Sequence, residues 1–381
     1  MEGKHKVLFL IDSLTCGGAE KSLISLLPLL DYTKIDVDLM IVHRGGLFET
    51  YLPKQVNVVD FPKQNGIWFH LCLTFFRLIR LFFSKKHHGA ELRWQVMSSA
   101  YVGTDKIYDV GIAYQQGFPT YYLASKITAK KKITWINADL EKAGYRPSFN
   151  RPFYDKINVV VPVSDVLCEM LIRTSFVDSN KISIVYDILN VDLIRQMSKK
   201  PLSLSLIHNE LIITTVGRMV LPKGYDLAVD AAKILKEKGL QFKWFFVGGG
   251  NMKPEIKRMA TDYGLLNNIF FTGVKSNPYP YMALADIYVQ TSRFEGFGLT
   301  ISEARILNKP VISTNFPVVY NQIKDGENGL ICEMTPESIA QKILLLANDE
   351  QLRNKLIEGT KKEVNLTAKT EPQKVMNLIL S

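Results

Sequence analysis

Two glutamates, Glu295 and Glu303, flank a glycine-bracketed phenylalanine in TSRFEGFGLTISEARILNK, residues 291–309. On one continuous helix they would lie roughly 12 Å apart along the axis, too far to share a small ligand. The glycines point to another arrangement. Glu295 is expected in a loop that Gly296 and Gly298 bend around Phe297, with a serine-capped helix pattern starting near Leu299 or Thr300. Glu303 then falls in the first helical turns, where the helix dipole favours a carboxylate that could accept two hydrogen bonds from a ribose diol. Glu295 points from the loop toward a reacting centre. Between the two, the N–H groups of Phe297, Gly298, Leu299 and Thr300 form a nest and helix start suited to a phosphate.

Cations stand upstream of this acidic pair. In VGRMVLPKGYD, Arg218 and Lys223 leave a strand end together in a loop shaped by Pro222 and Gly224. A planar guanidinium fork and a movable ammonium together neutralise a diphosphate well. Near the start, DSLTCGGAEKSL sets Gly17 and Gly18 at a strand-to-helix turn. Without a Cβ, a phosphate or sugar can approach the N–H groups of that helix start. The turn is not GxGxxG, so it carries no dinucleotide fingerprint.

These motifs need strand ends to hold them. Apolar strand-like runs alternate with helical patterns from KVLFLI through VVVPVS, and a second series runs from LIITTVG through PVISTN. Such a succession predicts parallel strands with helical crossovers, here two doubly wound α/β domains. The break is expected at residues 186–197. The divisions are 1–187 for a first domain, which the resemblance described below makes the acceptor side, 188–365 for a second, which it makes the nucleotide-sugar side, and 366–381 for a terminal helix packing back on the first. Ligands of such sheets bind beyond the carboxyl ends of the strands. Each glycine-rich motif follows a strand run, and a cleft between two facing domains is the expected site.

Composition narrows the class. The 381 residues, 47% hydrophobic and 22% charged, exceed one hydrophobic core and describe a folded soluble protein. Four scattered cysteines form no CxxC pair, and six histidines form no HExxH, so neither a disulfide framework nor a metal cage is expected. The net charge of +10 is shared between both halves, which suits anionic partners without a basic tail. No nucleic-acid-binding motif is present, and no nucleic-acid partner is expected. MEGKHKVLFLID enters a strand directly with no secretory signal pattern. The expected location is cytoplasmic, free or peripheral on the inner face of the cell membrane.

The set GGAE, GRMVLPKG, FVGGG, FTG and EGFGLTISE resembles the retaining glycosyltransferases of family 4, including those of bacterial capsular and cell-surface polysaccharide synthesis. The resemblance covers nearly the whole chain in order, and its sharpest element is the glutamate, seven residues, glutamate spacing at Glu295 and Glu303. It implies the GT-B fold of two facing Rossmann-like domains. It further implies that Glu295 contacts the donor sugar, Glu303 the ribose, and Arg218 and Lys223 the diphosphate. Gly17 and Gly18 would sit under the donor phosphate and acceptor, and the backbone at Val274 beside the base. The implied activity is transfer of a sugar from a nucleotide diphosphate sugar, expected to be UDP-linked, to a saccharide or lipid-linked acceptor, with retention and without a required metal. A nucleotide-sugar epimerase or hydrolase of similar fold, or a non-catalytic sugar-nucleotide binder, is the alternative.

Many relatives carry a histidine in the segment that here reads TWINADLEK, where this chain has Asn137. An amide can donate to a sugar hydroxyl or phosphate but cannot transfer a proton. Asp139 is the other polar group there, either on the acceptor side or as a helix N-cap. The DVD at Asp36 to Asp38 reads as strand alternation rather than a metal site. Residues 66–88, NGIWFHLCLTFFRLIRLFFSKKHH in context, are apolar with His70, Thr74, Arg77 and Ser84 on one stripe and Arg80, Lys85 and Lys86 nearby. This composition suits a helix lying on an anionic membrane surface, with a buried helix of the first domain as the alternative.

Overall fold

The computed structural model describes residues 3–15, 17–62, 66–83, 88–202, 210–363 and 367–381. The chain divides into two compact units, Met1–Ile188 with Thr370–Ser381, and Leu189–Lys369. The first holds β1 (His5–Ser13), β2 (Ile35–His43), β3 (Val56–Asp60), β4 (Ile107–Ala113), β5 (Thr128–Ile136) and β6 (Val159–Pro162). These form one parallel sheet in the order β3-β2-β1-β4-β5-β6. Val7 through Ile11 are completely buried, as a strand covered by helices on both faces must be.

The second unit repeats the winding. Its strands are β7 (Leu211–Val216), β8 (Phe242–Val247), β9 (Ile269–Gly273), β10 (Ile287–Gln290), β11 (Val311–Thr314) and β12 (Leu330–Cys332), again parallel, in the order β12-β11-β10-β7-β8-β9. Trp244 on β8 is fully buried and donates through Nε1 to Thr215 Oγ1 at 3.0 Å. Burying such an indole stabilises the fold by about 5 kcal/mol, provided its N–H is satisfied. Strand order reverses between β1 and β4 and between β7 and β10, which opens a crevice at the carboxyl ends of each pair.

Side-chain caps start several connecting helices. Ser164 accepts from the Leu167 N–H, Asn190 from Leu193, and Thr335 from Ser338. Each replaces a helix-end hydrogen bond that would otherwise be missing. The terminal helix Thr367–Leu380 completes the first unit: Lys131 Nζ donates to Leu378 O at 2.7 Å and to Ser381 Oγ at 2.9 Å, and the buried Glu371 accepts from the Tyr186 N–H at 2.9 Å. Asp38 lies within β2 and is held by Lys106 at 2.5 Å and Tyr108 at 2.9 Å, so the DVD run is part of a strand.

The apolar segment forms the helix Ile67–Phe83, whose inner side carries the buried Cys72 and sets Phe69 edge-on to Tyr101. Its outer side is also apolar. Ile67, Trp68, Leu71, Phe75 and Leu78 are each more than half exposed, and Arg77 and Arg80 are exposed beside them. Ser84, Lys85, Lys86 and His87 lie outside the described residues, as does Cys16. Among the described residues no helix is long and apolar enough to cross a membrane.

Candidate functional site

The carboxyl ends of β7 and β10 bring the predicted ionic residues together. After β7 the chain passes Gly217 and Arg218 into the short turn Leu221–Lys223, and Gly224 follows in the left-handed region at φ +63°. A Cβ on Gly224 would sit 1.9 Å from Thr291 O, so only glycine lets this loop close against the end of β10. Two further ties hold the loops. The Arg293 N–H donates to Pro222 O at 2.8 Å, and its guanidinium grips Asp226 bidentately at 2.8 and 2.5 Å. Burial opposes the Asp226 carboxylate, but the hydrogen bonds and charge of Arg293 carry it below the usual carboxylate range.

Within this frame Lys223 Nζ lies 2.5 Å from Glu295 Oε2. The other oxygen, Oε1, accepts from Ser292 Oγ at 2.6 Å and from Gln290 Nε2 at 2.8 Å. The lysine side chain passes over Gly217, where a Cβ would come within 3.9 Å of its Cδ. Arg218, next in sequence, is exposed, and its guanidinium has no hydrogen-bond or ion-pair partner among the described residues. An unpaired cation thus stands beside a paired one at the switch point of the sheet.

The glycine run after β8 lies against the same loop. Positions 248 and 250 approach it so closely that a Cβ would meet Gly217 O at 1.9 Å and Met219 O at 2.2 Å, respectively. Beside Gly249 lies Val274, exposed just beyond β9. The EGFG stretch behaves as expected up to its cap. The helix Leu299–Ile306 starts behind Gly298 at φ +87° with no side-chain cap, so the serine-capped pattern is a glycine cap instead. Gln322 Nε2 donates to Phe297 O, and Thr300 Oγ1 donates to Gln290 Oε1 at 3.1 Å.

Glu303 differs from the expectation of an open ribose acceptor. It is fully buried, and Tyr279 OH donates to its Oε1 at 3.0 Å, because the helix turns this position inward beneath its first turn.

The first unit shows two further departures. Gly17 does not present an open cradle. A Cβ there would sit 2.0 Å from Glu20 Oε2, so the anion at the start of the helix Gly18–Leu26 is the chain's own carboxylate, drawn there by the helix dipole. Asn137 follows β5, and Nδ2 donates one of its two hydrogens to Tyr114 O at 3.0 Å, while the buried Oδ1 has no hydrogen-bond partner among the described residues. The amide keeps a second hydrogen to donate, as expected, beside an unpartnered oxygen. Asp139 accepts from the Lys142 N–H at 3.0 Å and caps a turn, not a helix. It is buried and committed to that turn.

The residues that sequence reasoning missed are Gln290, Ser292, Tyr279 and Gln322. Gln290 alone left a trace, as a polar residue closing the otherwise apolar strand IYVQ. Among the described residues no group of three or more His, Cys, Asp or Glu gathers as a metal site would need.

Comparison with known proteins places this site in context. Residues 198–363 match the family described as Glycosyl transferases group 1. The chain is 30% identical over 173 residues to a poly(ribitol-phosphate) alpha-N-acetylglucosaminyltransferase of Staphylococcus aureus, a stretch covering 44% of this chain but only 34% of that protein. The chain thus spans about a third of the length of that relative. It is 24% identical over 360 residues, 92% of each chain, to a Campylobacter jejuni enzyme named N-acetylgalactosamine-N,N'-diacetylbacillosaminyl-diphospho-undecaprenol 4-alpha-N-acetylgalactosaminyltransferase. Its fold is that of the Anabaena protein HepE, solved with UDP and glucose, at a TM-score of 0.72, 18% identity and 99% coverage of both chains.

Proposed function

We propose, from the match of residues 198–363 to the family described as Glycosyl transferases group 1, that the chain transfers a sugar from a UDP-sugar to a saccharide or lipid-linked acceptor in cell-surface polysaccharide synthesis. One observation carries the reading. Arg218, Lys223 and Glu295 stand on the adjacent ends of β7 and β10, the switch point where doubly wound sheets bind nucleotides. The UDP assignment draws on the Anabaena neighbour solved with that nucleotide, and the lipid-linked acceptor on the name of the Campylobacter relative.

In this mechanism the costly event is departure of the nucleoside diphosphate, as negative charge grows on its phosphates. Arg218 takes that charge with its free guanidinium, and Lys223 turns from Glu295 to do the same. The N–H groups of Leu299 and Thr300 add the positive end of a helix. Preorganised donors of this kind are each worth about 2.7–4 kcal/mol of barrier. Glu295, released by Lys223, turns Oε2 to a hydroxyl of the donor sugar. The ribose displaces Tyr279 from Glu303, and the base stacks near Val274. Since Asn137 cannot carry a proton, the departing phosphate assists deprotonation of the acceptor on the same face of the sugar, and the anomeric configuration is retained. The cations of the chain meet the diphosphate charge, so no metal is required.

The protein works at the cytoplasmic face of the membrane, held by the helix Ile67–Phe83. Its outer apolar stripe and exposed Arg77 and Arg80 support this, as does the absence of any acidic residue from 61 to 90. Release of free nucleoside diphosphate from a panel of nucleotide sugars, with and without acceptor, tests the activity. Failure to turn over any of them overturns the reading.

A further inference from the structure

We infer that Gln290 is a positioning residue for this reaction, acting through Glu295 and tying it to the start of the helix Leu299–Ile306. The inference rests on the transferase reading above and assigns a role to a residue outside the donor-contacting set. Gln290 closes β10 with 2% exposure, at the end of a strand whose other members, Ile287, Tyr288 and Val289, are completely buried. A buried amide is costly there unless each of its polar atoms is matched.

All four of its hydrogen-bonding positions are matched. Nε2 donates to Ser292 Oγ at 2.7 Å and to Glu295 Oε1 at 2.8 Å, while Oε1 accepts from Tyr288 OH at 2.7 Å and from Thr300 Oγ1 at 3.1 Å. The amide can sit in only one orientation. Flipped, its oxygen would face the Glu295 carboxylate, and the repulsion between two acceptors would eject it.

This makes the two oxygens of Glu295 unequal. Oε1 is held by Gln290 and Ser292, and Ser292 is held in turn where its carbonyl accepts from Thr314 Oγ1 at 2.5 Å on β11. Oε2 meets only the Lys223 ammonium among the described residues, and so is the oxygen that turns to the sugar when Lys223 turns to phosphate. The same amide oxygen holds Thr300, so the carboxylate and the helix N-terminus that face the donor's two ends are set by one side chain. A leucine of similar volume would fill the space and leave both unset.

The test compares wild type, Gln290→Leu, Glu295→Ala and the double variant by steady-state kinetics with the nucleotide sugar that wild type turns over. Gln290→Leu is expected to lower kcat tenfold or more while the donor KM changes less than threefold, about the loss one misplaced group causes. In the Glu295→Ala background the same change is expected to cost less than twofold, since it acts through the missing carboxylate. Wild-type turnover with an unchanged kcat for Gln290→Leu, or equal losses in both backgrounds, overturns this role and leaves the transferase reading standing. A wild type that turns over no nucleotide sugar overturns the transferase reading itself. Should Gln290→Leu fail to fold, Tyr288→Phe removes one bond to the amide within an intact core: a threefold lower kcat at unchanged KM supports the role, and an unchanged kcat overturns it.

Discussion

Lys223 and Glu295, 72 positions apart, meet at 2.5 Å where β7 and β10 end side by side, and the pair is largely withdrawn from water. In the proposed reaction this cation and carboxylate balance each other's charge until the donor separates them. Removing one partner leaves the other buried and unpaired, which is strongly destabilising. Lys223→Met should therefore lower the melting temperature, by roughly the 2–4 °C that 1 kcal/mol corresponds to in a domain of this size or more. Lys223→Met combined with Glu295→Gln should recover that stability but no transfer. Thermal melts and turnover of Lys223→Met, Glu295→Gln and the double variant check this, and additive melting losses would refute the pairing.

Arg218 is the converse case, exposed and without a partner among the described residues. Its replacement by alanine should leave the melting temperature near wild type, since surface changes are worth within about 0.5 kcal/mol. Transfer should fall on the order of 100-fold or more. In the proposed mechanism protein cations carry the leaving-group charge, so excess chelator should leave wild-type turnover unchanged. Loss of activity on chelation that magnesium restores would refute the metal-free reading.

Asp187 provides a pH signal in the first unit. Burial pushes its carboxyl up to about 7, only partly offset by a hydrogen bond from Ser22, and its Oδ1 has no hydrogen-bond partner. A carboxyl raised in the folded state binds its proton more tightly there than in the unfolded chain, so stability declines as pH climbs from about 4 to 7 and then levels off. Asp187→Asn removes the titration. The melting temperature of the variant minus that of wild type should therefore rise between about pH 4 and pH 7 and stay constant above, reflecting a ceiling of about 4 kcal/mol. A difference independent of pH would count against a proton on Asp187.

If the helix Ile67–Phe83 holds the protein to a membrane as proposed, wild type should sediment with vesicles containing anionic phospholipid, less so as salt is raised, and not with neutral vesicles. Leu71→Asp with Phe75→Asp, both on the exposed stripe, should stay in the supernatant with the fold unchanged. Equal sedimentation of this variant and wild type would remove the helix as the attachment.

Much of this molecule could be read before folding was considered. Periodicity separated ten of the twelve parallel strands from their helices because a strand covered on both faces needs an unbroken apolar run; the short edge strands β3 and β12 lack that signal. Glycine and proline marked the strand ends, which is why the placement of Arg218, Lys223 and the EGFG turn there was legible. The start of the helix at Leu299 followed from Gly298.

Other features depended on neighbours that sequence distance conceals. Glu303 and Glu295 look alike in the linear pattern, yet one is fully buried against Tyr279 and the other stands at the loop with Lys223. The Asn137 amide spends one of its two hydrogens on Tyr114 O, a partner 23 positions away, and its oxygen has no partner among the described residues. The space over Gly17 was read as open, but Glu20 folds back into it. Residue types, order and local backbone are inscribed in the chain, so sequence alone determined the two wound sheets and which glycine-rich loops close their strand ends. Which hydrogen-bonding atom is spent, and which is left for a ligand, depends on contacts between distant strand ends, and only the tertiary structure decided that.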